Sequence, residues 1–150
     1  MEPLDQLRKE GFTVTEILPE KDGLLSEEKF VSAIREDTFL VSIMMANNEI
    51  GVIQPLKKIS EICQSSEIIL HSDYAQCLGF LELDNLDSVA NMLTISSHKI
   101  YGPKGVGILL IDRDIELQPL VLGGGQEFGL RSGTLPLPLI VGFTLSLIHI

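Results

Sequence analysis

The sequence predicts an α/β layered fold, a mostly parallel sheet with flanking helices. Three observations lead there. Short apolar runs alternate with longer amphipathic segments along the 150 residues. The apolar runs are near-continuous, as in strands covered on both faces. Polar residues follow three of them, in "ANNE", "HSDYAQ" and "SSHK". In such sheets the crevice outside the carboxyl ends of the strands is where ligands bind.

The elements follow in order. "EPLDQLRKEG" reads as the end of a helix stopped at Gly11. "FTVTEIL" alternates apolar and polar residues and reads as a strand. "SEEKFVSAI" starts a helix, with Ser26 as its cap and acids behind it. "TFLVSIMMA" predicts a strand buried on both faces. "NNEIGVIQP" is a polar loop, and "LKKISEICQSS" an amphipathic helix. "EIILHSD" is a second buried strand, "SVANMLTISS" a helix end running into a third, and "VGILLID" a strand after a glycine turn.

Composition narrows the function. Apolar residues make up 45% of the chain, which excludes a disordered one. The net charge of −10, with 21 acids against 11 bases, excludes a nucleic-acid surface but not one small phosphate held by backbone N–H groups. Cys63 and Cys77 form no CxxC or Cys/His spacing, so no metal site is expected. Both read as reduced, packed thiols of a cytosol-like compartment. The start "MEPLDQLRKEG" lacks an apolar core, so no signal peptide is expected. No apolar run reaches the roughly 20 residues of a membrane span, and the apolar end "PLPLIVGFTLSLIHI" reads as a truncation.

The strand ends bring forward Asn48, Asp73 with Gln76, and Ser96, His98 and Lys99. Each has a plain structural reading: a turn residue, a helix cap, a surface amine, a glycine turn that only bends the chain. "GPKGVG" is not a Walker loop. Together, however, they supply an amine nucleophile, a carboxylate for a cationic ring nitrogen, and donors for a phosphate. Pyridoxal 5′-phosphate needs that set.

"VSIMMANNEIGVIQP", "HSDYAQCLG", "SSHKIYGPKGVG" and "GGGQEFGLRSGT" occur in this order, and over about residues 2–143 the chain closely resembles the cysteine desulfurases of the NifS-like branch, class V of the aminotransferases. The resemblance implies a partial large domain of the PLP-dependent transferase fold type I, the aspartate aminotransferase-like fold. It implies that Lys99 binds the cofactor aldehyde and that Asp73 pairs with the pyridine nitrogen. Gln76 and Asn48 would lie at the phenolic oxygen. Ser96 and His98 would hold the phosphate, and Thr134 would reach the phosphate of the other subunit of a homodimer. The implied reaction removes sulfur from L-cysteine, giving L-alanine and an enzyme persulfide for an iron–sulfur scaffold or another acceptor protein. Bacterial cytoplasm and mitochondrial matrix both suit it. No nucleic acid or membrane partner is expected.

The resemblance is incomplete. Neither Cys63 nor Cys77 matches the family's persulfide cysteine, which lies on a mobile loop toward the C-terminus. The ring-stacking histidine would precede Met1 and the carboxylate-binding arginine would follow Ile150. Residues 144–150, "TLSLIHI", depart from the family pattern, so 1–143 is expected to be the central part of the large domain. A non-catalytic fragment is the alternative. A selenocysteine lyase-like relative shares "ANNE" and "GGGQE", but "HKIYGPKG" and "RSGT" point to the desulfurase branch.

Overall fold

A computed structural model describes residues 2–81 and 89–150. Helix α1 spans Glu2–Lys9, with Glu2 and Asp5 in its first turn and Arg8 and Lys9 in its last, each sign matching the nearby helix pole. It buries no residue. The segment 12–20 forms no strand, contrary to its alternating pattern. Side chains help to tie it down: Arg35 donates to Thr15 Oγ1 at 2.9 Å and Arg8 pairs with Glu16. Alternation makes a strand only where a neighbouring backbone offers a ladder.

Helix α2 spans Glu27–Ala33, where Ser26 Oγ accepts from the Lys29 N–H at 3.3 Å, as its capping position predicts. Strand β1 is Leu40–Met44. Helix α3, Leu56–Ser65, buries Leu56, Ile59 and Cys63, a single stripe at helical spacing. Strand β2 is Ile69–Asp73 and strand β3 Met92–Ser96. Of the helix end expected ahead of β3, Ser88 lies outside the described residues and 89–91 are not helical. Strand β4 is Gly107–Ile111, and helix α4 is Leu137–Ile148.

Among the described residues the sheet runs β1-β2-β3-β4, with β1, β2 and β3 parallel and β4 antiparallel to β3. The mostly parallel sheet is therefore as expected. One face carries Leu70, Leu93 and Ile95, buried together with Ile59 and Cys63 of α3, which packs on β2. The other face carries Ser42, His71 and Thr94. The expectation that β1 is buried on both faces is corrected: it is an edge strand whose Leu40, Ser42 and Met44 are exposed. Among the described residues nothing covers that side of it, so hydrophobicity alone overstates its burial. Helix α4 is mostly apolar yet buries only Phe143. No described helix is long and apolar enough to cross a membrane.

Candidate active site

The carboxyl ends of β1, β2 and β3 come level with one another. Met44 pairs with Asp73, and Asp73 with Thr94. The ladder ends there: Met45 N–H donates to the Asp73 carbonyl and Tyr74 N–H to the Thr94 carbonyl, both at 2.9 Å. Three loops leave the sheet from this edge.

Asp73 is exposed at the end of β2. Its Oδ1 accepts from the Ala75 N–H at 2.9 Å, opening a tight turn rather than a helix. Tyr74 and Cys77 anchor that turn in the core, and Gln76 is half-buried between them. Burial pushes the Cys77 thiol up from 9.0 to about 11 and also raises Cys63. Both are inert thiols, in line with their reading as packing residues.

Asn48 sits exposed at the tip of the loop after β1. Its neighbour Asn47 builds that loop: Asn47 Oδ1 accepts from the N–H groups of Glu49 at 2.9 Å and Ile50 at 3.1 Å. Asn48 is thereby left to project.

After β3 the chain makes a single 3₁₀ turn, Ser97–Lys99. Ser97 and Ile100 are buried on either side of it, so His98 and Lys99 face outward. Among the described residues Lys99 has no ion pair. The glycine turn holds this geometry by close approach. A Cβ at Gly102 would lie 2.1 Å from Ser97 Oγ and 3.0 Å from the Ser97 carbonyl oxygen. Gly105 has φ +91°, a left-handed conformation that suits glycine. Ser97 Oγ is buried with no hydrogen-bond partner, so the turn tolerates a polar cost to keep its shape.

Thr134 stands on a different element. It is exposed between α4 and the loop 121–133, which is closed by Gln126 Oε1 accepting from Gly133 N–H at 2.9 Å and by a Val121–Arg131 bridge. The structure thus groups Asp73, Gln76, Ser96, His98 and Lys99 at two adjacent strand ends, places Asn48 beyond the third, and leaves Thr134 outside the sheet. A cleft of about 250 Å³, lined by Leu78, Phe80, Ile100, Tyr101 and Ile150 among others, flanks the same turn and takes in neither Asp73 nor Lys99.

His71 was not singled out by the sequence. Its Nδ1 is 2.8 Å from Ser42 Oγ and its Nε2 2.8 Å from Thr94 Oγ1, a row across three strands. Burial lowers its pKa, and the charge of Asp73 pulls the other way. The signal available was the spacing in "HSD", which places residues 71 and 73 on one face of a strand.

An exposed amine, a carboxylate at a neighbouring strand end, and a hydroxyl and an imidazole next to the amine in the chain are the donor set that pyridoxal phosphate requires, so the residues fit that group. The family described as Aminotransferase class-V matches residues 1–150. The cysteine desulfurase IscS of Haemophilus influenzae (strain PittEE) is 50% identical over 139 residues, covering 91% of this chain and 34% of that protein. The mitochondrial cysteine desulfurase of Saccharomyces cerevisiae is 49% identical over 145 residues, covering 95% and 29%. Among solved structures, SspA in complex with cysteine aligns with a TM-score of 0.93 at 43% identity over 99% of this chain and 43% of that one. DndA from Streptomyces lividans aligns at 0.90 and 42%, over 99% and 43%. The chain spans about a third of the length of the curated relatives it matches. Its fold is that of the type I pyridoxal-phosphate transferases. With a matched region that covers every residue, the chain belongs to the aminotransferase class-V family.

Proposed function

We propose that this chain is the central part, residues 1–143, of the large domain of a cysteine desulfurase that uses pyridoxal 5′-phosphate. The observation that carries the reading is the adjacency of Asp73 and the Lys99 turn, at the ends of paired strands, in a chain half identical to cysteine desulfurases. When bound, the cofactor supplies an electron sink for the charge left on the substrate α-carbon. Lys99 Nζ would hold the cofactor and, once free, would serve as the general base and acid for the substrate α-carbon proton. The Asp73 carboxylate keeps the ring nitrogen protonated, because an opposite charge at short range favours the charged form. Ser96 and His98 hold the phosphate; Gln76 and Asn48 orient the phenolic oxygen; Thr134 serves the second subunit of a homodimer.

The products are L-alanine and a persulfide, delivered to an iron–sulfur scaffold or another acceptor in a bacterial cytoplasm or mitochondrial matrix. Cys63 and Cys77 are both buried, which favours a second reading for these 150 residues taken alone: cofactor binding without sulfur transfer.

The test is to add pyridoxal phosphate, record the visible absorbance band of the bound cofactor, reduce with borohydride and map the adduct. An adduct on Lys99 is expected, with no sulfide released from L-cysteine above background. No adduct, or one spread over surface lysines, overturns the reading.

A further inference from the structure

Resting on the reading of Asp73 as partner of the ring nitrogen, we propose that His71 is a positioning residue for that carboxylate, acting through Thr94. His71 is hydrogen-bonded at both ring nitrogens, to Ser42 Oγ and to Thr94 Oγ1, each at 2.8 Å. A neutral imidazole carries one N–H, so one of these bonds is donated by the ring and the other accepted. The hydroxyls adapt to either choice.

Asp73 decides between them. It lies two residues beyond His71 on the same face of β2, and it is the direct register partner of Thr94. If Nε2 carries the proton, the ring donates to Thr94, whose own O–H is then free to donate to the carboxylate. Ser42, on the exposed edge strand, donates to Nδ1. In the opposite tautomer the Thr94 proton is spent on Nε2, and lone pairs face a negative charge. The charge therefore selects Nε2–H. Asp73 Oδ1 already accepts from Ala75, and a carboxylate has about four acceptor sites, so a further donor is accommodated. The remaining residues of β1 to β3 on this face carry no charge at neutral pH.

The arrangement makes the hydroxyl of Thr94, the register partner of Asp73, a donor that brings no second cation. A neutral His71 adds no positive charge that would compete with the ring nitrogen for the carboxylate. Row and carboxylate are joined by strand register, so their relative placement is set before any ligand arrives.

The experiment uses the 150-residue chain labelled with ¹⁵N. Long-range imidazole correlations without cofactor are expected to show His71 as the neutral Nε2–H tautomer, shifting toward Nδ1–H in Thr94→Val. An Nδ1–H tautomer or an imidazolium in the unsubstituted chain overturns the proposal. In absorbance titrations with pyridoxal phosphate, Thr94→Val is expected to weaken binding about tenfold, the loss of one hydrogen bond to a charged group. Thr94→Ser, which keeps the hydroxyl, is expected to restore it. Equal affinity in all three chains overturns the proposal. An unsubstituted chain that takes up no cofactor overturns the function proposed above instead, and the tautomer then decides for His71.

Discussion

On one face of the sheet Leu70, Leu93 and Ile95 lie buried under α3; on the other, Ser42, His71 and Thr94 hydrogen-bond across three strands below an exposed Asp73. Both faces are built from the same strands, with alternate residues. The packed face draws on apolar transfer, which is non-directional and tolerant of which neighbour fills the space. The polar face draws on hydrogen bonds whose partners are fixed by register, so a shift by one residue would break every one of them. The difference teaches where stability and chemistry are divided: stability rests on the face that α3 covers, and the candidate chemistry on the face and edge it leaves open.

The sharpest way to break this comparison is Leu70→Ala. Leu70 is 1% exposed at the centre of the packed face. Its truncation is expected to cost about 2–5 kcal/mol in denaturant unfolding. A cost below that of an exposed-site change would show that the packed face is not where the fold is held. Gly102→Ala is expected to cost about 1–3 kcal/mol, because the new Cβ meets the Ser97 hydroxyl and a backbone carbonyl that cannot swing away. Thermal melts check it, and the same variant is expected to misplace Lys99 and slow its labelling.

A smaller effect comes from pH. Cys77 is held up to about 11 from 9.0, and Cys63 and Tyr74 are raised too, in each case mainly by burial. The folded chain keeps protons that the unfolded chain loses first. Stability is therefore complete below about pH 9 and falls as pH rises toward about 11. Melting temperatures that do not decline over that window would contradict the burial of these groups. The smallest effect on stability is expected from Lys99→Ala, within about 0.5 kcal/mol, since the side chain is exposed. The same substitution is expected to abolish the borohydride-trapped adduct. A large loss of stability there would erase the division between the two faces.

Much of the fold was legible locally. Ser26 caps α2 as its position ahead of two acids suggested, and the apolar stripe of α3 is the one its spacing drew. Polar residues just past apolar runs mark Asp73 and Lys99 as strand-end residues, and they stand at the end of β2 and in the turn after β3. Two readings failed for a shared reason. Residues 12–18 alternate like a strand but have no ladder partner, and β1 is apolar enough for a buried strand but lies at an edge. Pattern reports what a segment is suited to pair with or hide behind, and not whether that neighbour is there. His71 was missed because its significance lies in two hydroxyls on other strands, Ser42 and Thr94.

The sequence by itself determined the order of helices and strands, the caps, the stripe of α3 and the family motifs, because each depends on residues a few positions apart. Only the tertiary structure decided that β4 runs antiparallel, that Ser97 turns inward while Lys99 turns out, and that His71 meets the hydroxyls of Ser42 and Thr94 on two other strands. Those outcomes depend on which distant backbones pair and in what register, and hydrogen-bond pairing between strands is fixed by the whole sheet rather than by any one segment.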